Sequence, residues 1–274
     1  LGTLGGKFST AFGINESGQV VGSSYFDSTT RTHAFITGTN GVGMTDLGTL
    51  GGAESWATDI NDSGQVVGWA NPSSHYTYTH AFITGPNGIG MTDLGTLGGA
   101  YSSATGINNS GQVTGVSMTA DSIHNSIAFI TDTNGTNMTS LGTLGGSESW
   151  AADINDSGQV VGWASTIGDN DAHGFLYSNG VMIDLMHLAP VVEAGWAWLN
   201  PLAINDIGQI VGYGSHNGSD HQAFLLSPFD IPAFPIIEPF PPVTPVPEPE
   251  TYAMLLAGLG LLSFMARHRK ESAV

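Results

Sequence analysis

The stretch Leu47-Gly48-Thr49-Leu50-Gly51-Gly52 decides the fold, because the same six residues occur four times in the chain. The copies begin at Leu1, Leu47, Leu94 and Leu141, at intervals of 46, 47 and 47 residues. A fixed period of this size is typical of one supersecondary unit copied in tandem, with each copy burying its apolar face against the next. The sequence therefore predicts a repeat architecture.

Two further blocks recur with the same period. One is Ile60-Asn61-Asp62-Ser63-Gly64-Gln65-Val66-Val67-Gly68, which returns in related form at 14–22, 107–115, 154–162 and 204–212. The other is His80-Ala81-Phe82-Ile83, which returns at 33–36, 127–130, 173–176 and 222–225. The chain thus holds five copies, although the leading motif of the fifth has changed to Asp184-Leu185-Met186-His187-Leu188.

Each unit is predicted to form four short antiparallel strands. In the second unit the predicted strands are Ser55–Ile60, Gln65–Ala70, Thr79–Ile83 and Gly90–Leu97. The tetrad Asn61–Gly64 supplies a hairpin turn, because Asn and Asp bond their own backbone and Gly accepts a positive φ. Four strands in about 47 residues match the size of a propeller blade. We therefore expect an all-β fold, a β-propeller of about five four-stranded blades over residues 1–227.

The phase of the repeat leads to an expectation about ring closure. The chain opens on the strand-four motif, and its last unit ends at the third strand, Gln222–Leu226. We therefore expect Leu1–Leu4 to pair with the incomplete fifth unit, since closure leaves no long exposed sheet edge.

The charge of the chain narrows the class of partner. Residues 1–266 hold two basic residues, Lys7 and Arg31, against 22 acidic ones. Such a surface repels nucleic acid and anionic lipid. The chain has no cysteine, which excludes disulfides.

The C-terminal region has a different composition. Nine of the 13 prolines lie between Pro228 and Pro249, so residues 228–250 are predicted to form an extended linker. An uncharged run, Thr251–Ala266, follows and is predicted to be a single transmembrane helix, although 16 residues are slightly short for a bilayer. The basic tail 267–274 should remain in the cytoplasm and leave the repeats outside.

Two resemblances follow from these motifs. Val246-Pro247-Glu248-Pro249, the apolar run and the basic residues Arg267, Arg269 and Lys270 resemble the PEP-CTERM sorting signal of Gram-negative bacteria. The resemblance implies recognition by an exosortase-type protease, transient anchoring in the inner membrane, and export to the cell surface or the exopolysaccharide-rich biofilm matrix. The repeats resemble the HAF-repeat family of probable extracellular proteins, through the His-Ala-Phe block.

The histidines at one repeat position, His33, His80 and His173, are candidate metal or proton ligands. Ile127 and Gln222 replace the histidine in two copies, which favours a structural role in the blade. We therefore expect no metal site.

The segments Asp59–Gly64 and Asp153–Gly158 resemble the first half of a calcium loop, with oxygens at the first, third and fifth positions. Calcium near Asp59, Asn61, Asp153 and Asn155 is a weak possibility, because the twelfth position is alanine in both segments. A hairpin turn is the favoured interpretation.

The segment Met186–Leu202 is the main break in the repeat symmetry. Sites in symmetric scaffolds tend to lie on such irregular loops. Possible ligand-binding residues in this segment are His187, Glu193, Trp196 and Trp198.

The sequence leaves two hypotheses about function. The favoured one is a non-catalytic exported propeller that binds a glycan, such as exopolysaccharide, or protein partners, without a cofactor. The alternative is a secreted glycosidase-like hydrolase that uses two carboxylates in the propeller funnel. No catalytic residue can be assigned, because the acids recur mostly in turns and no unique pair stands out.

Overall fold

The computed structural model describes residues 1–26, 31–73, 78–120, 125–168 and 171–228, with Asp220 described by its backbone alone. Residues Leu1–Ile231 form one compact unit. The predicted membrane helix and basic tail, and the predicted linker from residue 229 onward, lie outside the described residues.

The described residues of the compact unit form nineteen strands in five antiparallel sheets, which we call blades 1 to 5. Blade 1 contains β1 Ser9–Ile14, β2 Val20–Tyr25, β3 Thr32–Ile36 and β4 Thr45–Asp46. Blade 2 contains β5 Ser55–Ile60, β6 Val66–Ala70, β7 His80–Thr84 and β8 Met91–Asp93. Blade 3 contains β9 Gly98–Ile107, β10 Val113–Thr119, β11 Ser126–Ile130 and β12 Thr139–Gly142. Blade 4 contains β13 Gly145–Ile154, β14 Val160–Thr166, β15 Ala172–Ser178 and β16 Val181–Asp184.

Up to residue 228, blade 5 has three strands, β17 Trp196–Ile204, β18 Ile210–His216 and β19 Ser219–Leu226. One short helix, α1 Ala189–Ala194, precedes it. Gly195 ends this helix in the left-handed region at φ 80°. The symmetry-breaking segment therefore forms a helical turn that leads into the last blade.

The blades stack through four apolar cores, one between each pair of successive blades. Between blades 1 and 2, for example, Val21 and Ile36 pack against Ile60, Val66 and Phe82. Equivalent positions build the three cores that follow. We call the side of a blade that meets the preceding blade its leading face, and the other side its trailing face. The hydrophobic effect across these faces holds the stack together.

The Leu-Gly-Thr-Leu-Gly-Gly motif corrects one prediction, because after blades 1 and 2 it follows the end of strand four and forms a turn between blades. After blade 3 the fourth strand does run into the motif, to Gly142, and the last two glycines of two copies open β9 and β13. In blade 2 the fourth strand ends at Asp93, and the predicted strand to Leu97 is wrong. Gly48 and Gly51 have φ values of 73° and 106°, in the left-handed region that favours glycine. The Thr49 hydroxyl accepts from Gly51 N and donates to Gly52 O, which closes the turn.

The same geometry overturns the predicted closing strand at Leu1–Leu4. These residues lie outside any strand, and Gly2 and Gly5 have φ values of 92° and 109°. Leu4 N donates to Ser24 Oγ of blade 1, so the segment packs on its own blade. Between described residues, no strand pairing or hydrogen bond joins blade 5 to blade 1.

Candidate functional site

A polar pocket of about 270 Å³ is formed by the turns that join the first and second strands of all five blades. Each blade contributes its Ile-Asn pair and the residue that follows. Those following residues are Glu16, Asp62, Asn109, Asp156 and Asp206. Because five consecutive blades line one pocket, they are arranged around a shared axis in the manner of a propeller.

The turn itself is fixed by its asparagine. In blade 2, Asn61 Oδ1 accepts from Gln65 N at 3.0 Å, and Gly64 adopts φ 77° to close the hairpin. Asn61 Nδ2 donates to Gln65 Oε1 and also to Asn108 O of the next blade at 3.1 Å. The asparagine is buried and fully engaged. The side chain that shapes the turn therefore also joins neighbouring blades.

A second ring of contacts runs through the residues after the asparagines. Each backbone N–H donates to the side-chain oxygen of the equivalent residue in the next blade: Glu16 N to Asp62 Oδ1, Asp62 N to Asn109 Oδ1, Asn109 N to Asp156 Oδ1, and Asp156 N to Asp206 Oδ1. The pocket rim is thus acidic and held by a repeated backbone contact. No hydrogen bond to the Glu16 carboxylate is found among the described residues.

Two acids deeper in the pocket region occur in alternate blades. The carboxylate of Asp59 accepts from Ile60 N at 2.8 Å and from Ile107 N of the next blade at 3.0 Å. Asp153 accepts in the same way from Ile154 N and from Ile204 N. Burial raises the pKa of Asp59 to about 6, against the two hydrogen bonds that lower it, and the charge of Asp153 adds to the rise. Burial likewise raises the pKa of Asp153.

These contacts bear on the calcium expectation. The oxygens of Asp59, Asn61, Asp153 and Asn155 accept from backbone N–H groups. Oxygens directed at N–H groups do not converge on a cation, and a hairpin turn accounts for the motif. Within the described ranges, no group of three or more His, Asp or Glu residues is arranged to hold a metal.

The repeated histidines each contact an aspartate on the fourth strand of their own blade. Nδ1 of His33, His80 and His173 lies within 3.0 Å of Asp46, Asp93 and Asp184, respectively. Blade 3 has lost both partners, with Ile127 and Ser140 at these positions. Loss of the two together indicates that the pair fastens strand three to strand four.

Replacing His80 by isoleucine, the residue of blade 3, should lower the free energy of unfolding by about 0.5–1 kcal/mol, because a partly exposed hydrogen bond is lost. The double variant His80→Ile/Asp93→Ser should lose less free energy of unfolding than the sum of the losses in the two single variants. Chemical denaturation of the four proteins of this double-mutant cycle measures the coupling. Additive effects would contradict the pairing.

The four residues predicted from the symmetry break do not form one cluster. His187 is largely exposed and shares Asp184 with His173, at 3.0 Å from the carboxylate. Trp196 lies against His216 and Phe224, in the core that joins blades 4 and 5. Trp198 contacts Tyr213 and His221 instead, and Glu193 is exposed on α1. Their role in ligand binding stays a prediction.

The acidic rim was missed in the sequence, although a signal for it exists. The residue after each Ile-Asn pair is Glu, Asp or Asn in all five copies, including the irregular fifth. A turn requires such residues anyway, so the pattern alone does not distinguish a turn from a pocket. The convergence of five turns becomes visible only in three dimensions.

The residues of the predicted sorting signal, from Val246 to Lys270, lie outside the described residues. Among the residues that the structure describes, no helix has the length and apolar character needed to cross a membrane.

Comparisons with known proteins support the predicted sorting motif and the all-β fold. The family model of the PEP-CTERM protein-sorting motif matches residues 245–270, which indicates export and sorting by an exosortase. The model of a protein family of unknown function (DUF3466) matches residues 88–189, whereas membership of the HAF-repeat family stays a prediction. No curated protein matches the chain.

A solved structure is similar in fold. The crystal structure of TolB from Acinetobacter baumannii aligns with a TM-score of 0.51 at 12% identity, over 80% of this chain and 52% of that one. The chain therefore spans about half the length of the structure that it matches. At this identity the likeness concerns the fold alone, an all-β arrangement of propeller-like antiparallel sheets.

Proposed function

We propose that this protein is a non-catalytic exported propeller that binds glycan or protein partners at the cell surface or in the extracellular matrix. The observation that carries the proposal is the axial pocket, to which all five blades contribute. Its rim is held by the same hydrogen bond in each successive blade pair, so the pocket is rigid before a ligand arrives. Rigid sites lose less entropy on binding.

The chemistry of the pocket favours hydroxyl-rich or cationic groups. Carboxylates and asparagine oxygens accept hydrogen bonds, and no lysine or arginine lines the pocket. Sugar hydroxyls and the side chains of lysine and arginine are the donors that fit such a rim. Outside the lining of the pocket, a row of stacked rings, Phe12, Trp56 and Trp69, with centroids 5.8 Å apart, forms an aromatic surface of the kind that binds sugars.

The hydrolase alternative rests on Asp59. A carboxyl group with a pKa near 6, raised by burial and in small part by the charge of a second acid, Asp153, is what a general acid requires. Against it, both carboxyl groups accept backbone hydrogen bonds that link successive blades. We therefore favour a structural role for this pair. Hydrolysis of polysaccharide by the purified protein, lost in both Asp59→Asn and Asp153→Asn, would favour the enzyme.

A glycan array probed with the unit Leu1–Ile231 tests the binding proposal. Glu16→Gln should weaken binding of a retained glycan about tenfold or more, because a charged acceptor is lost while the ring of backbone contacts stays intact. Glu193→Gln is the matched control, since Glu193 is exposed on α1 and lies outside the pocket. If Glu193→Gln weakens glycan binding and Glu16→Gln leaves it unchanged, the site lies in the irregular segment instead.

A further inference from the structure

The dipeptide Asn-Gly occurs five times in the chain, and its asparagines are Asn40, Asn87, Asn134, Asn179 and Asn217. All five have a left-handed backbone, with φ between 50° and 59°. In this dipeptide the backbone nitrogen of the glycine can attack the side-chain amide of the asparagine, because glycine has no side chain that blocks the approach. The five pairs share this chemistry, so a difference in their reactivity has to come from the structure around them.

In blades 1 to 3 the pair lies in a loop that packs on the turn between the first and second strands. In blade 2, Gly88 N donates to Gly64 O at 3.0 Å, and Asn87 Oδ1 accepts from Gln19 Nε2 at 3.3 Å. A Cβ at Gly88 would lie 2.7 Å from Leu47 Cδ2, so an apolar side chain covers the glycine. The glycines of the other two loops donate in the same way, Gly41 to Gly18 O and Gly135 to Gly111 O. The attacking nitrogen is therefore engaged in all three loops.

The pairs of blades 4 and 5 are two-residue hairpin turns. Asn179-Gly180 joins β15 to β16, and Asn217-Gly218 joins β18 to β19. Both residues of each turn have positive φ, which is the type I′ geometry of tight hairpins. Among the described residues, neither glycine N–H donates a hydrogen bond. Both glycines are exposed, and a Cβ on either would meet nothing within 4 Å. The attacking nitrogen is therefore free in these two turns.

We propose that the two hairpin asparagines deamidate spontaneously, whereas the three loop asparagines keep their amides. The sites are Asn179 and Asn217. The glycine nitrogen loses its proton to the solvent and attacks Cγ of the asparagine. A C–N bond forms, and the side-chain nitrogen leaves as ammonia. Water then opens the resulting succinimide ring at either carbonyl, which gives aspartate or isoaspartate. One water is consumed and one ammonia is released, without any change of oxidation state.

The difference in rate comes from the cost of opening each turn. Ring closure requires a rotation of the peptide plane that follows the asparagine, so the turn has to open locally. In the part of the chain that the structure describes, the amides of Asn179 and Asn217 contact only the preceding side chains, Ser178 and His216. In blade 2 the same rotation breaks two hydrogen bonds, so the reaction of Asn87 should be slower by about tenfold or more.

Deamidation of Asn179 changes the end of the molecule that carries the axial pocket. The turn that lines the pocket in blade 4 lies close to this hairpin, because Gln159 Nε2 donates to Ser178 Oγ. The product adds one negative charge beside an acidic rim. Isoaspartate also adds one atom to the main chain, which a two-residue turn accommodates only by changing its geometry.

The test is peptide mapping by mass spectrometry after incubation of the full chain at mildly alkaline pH, in buffer and in guanidinium chloride. In denaturant all five pairs should react at similar rates, which gives the reactivity of the dipeptide itself. In the folded protein Asn179 and Asn217 should lose their amides at least about tenfold faster than Asn87 and Asn134. Isoaspartate among the products identifies the ring intermediate. An amide retained at Asn179 or Asn217, or an equal rate at Asn87, overturns the proposal.

Glycine variants assign the products to their sites. Glycine adopts positive φ readily, so Asn179→Gly and Asn217→Gly preserve the turns. The double variant should no longer accumulate the acidic species that ion-exchange chromatography separates from the incubated protein. Asn87→Gly is the matched control and should accumulate these species at the unchanged rate. Acidic species that form as fast in the double variant as in the unmodified protein also overturn the proposal.

Discussion

Replacing Gly68 with alanine should lower the free energy of unfolding by about 3–5 kcal/mol, the largest effect that we expect from a single substitution. Gly68 lies in the second strand of blade 2, opposite Ala57. A Cβ atom there would lie 1.8 Å from Trp56 O and 2.9 Å from Ala57 Cα. Both neighbours are backbone atoms of a paired strand, so neither can move without disturbing the sheet. The equivalent Gly22, Gly115, Gly162 and Gly212 approach a carbonyl oxygen in the same way.

Gly106→Ala is the matched control for this prediction. Gly106 also lies in a strand, but a Cβ there would meet its nearest neighbours at 3.4–3.5 Å, an ordinary contact distance. Alanine occurs naturally at the equivalent position of blade 5, Ala203. Gly106→Ala should therefore change stability by less than about 1 kcal/mol. Equal denaturation midpoints for the two variants would show that the close approach at Gly68 has no energetic consequence.

The local geometry of each repeat could be predicted from the sequence. The repeat period, the Val-Val-Gly strand and the Asn-Asp turn give local geometry directly, because alternation, turn chemistry and glycine have short-range causes. Strand one of blade 2, Ser55–Ile60, was predicted with its observed bounds. After blades 1 and 2 the Leu-Gly-Thr-Leu-Gly-Gly motif was misassigned, because its leucines suggest a strand, while Gly48, Gly51 and Gly95 adopt positive φ values and lie outside strands.

Ring closure and the acidic rim could not be predicted for a different reason. Both depend on the angle between successive blades, which is set by the sum of many contacts across the interblade cores. In the structure Leu225 and Ile14 both remain exposed. The sequence of one repeat holds no signal for this angle. The repeat pattern thus identifies the residues of the contact between blades without fixing the angle between the blades.

The pH dependence of stability should carry the signature of Asp59. The pKa of this carboxyl is raised from 3.8 to about 6, so between these pH values the folded protein binds a proton more tightly than the unfolded chain does. The contribution of the group to stability is fully present below about pH 4 and is lost as the pH rises through about 6. Two pKa units correspond to about 3 kcal/mol as an upper value.

The measurement compares the unmodified unit Leu1–Ile231 with Asp59→Asn at pH 4 and pH 7.5. Asparagine does not titrate, so the stability difference between the two proteins should shift in favour of the unmodified protein by up to about 3 kcal/mol at the lower pH.

Asp153→Asn should shift the stability difference in the same direction, since burial raises the pKa of that carboxyl as well. Asp132→Asn, an exposed acid on a loop of blade 3, controls for the removal of one negative charge. A stability difference that is the same at both pH values would mean that Asp59 has the same pKa in the folded and the unfolded chain. If the shift occurs, the fold carries an unfavourable charge on Asp59 at neutral pH and gains the hydrogen bond from Ile107 N to Asp59. The glycines at the equivalent positions, 13 and 106, cannot make this contact.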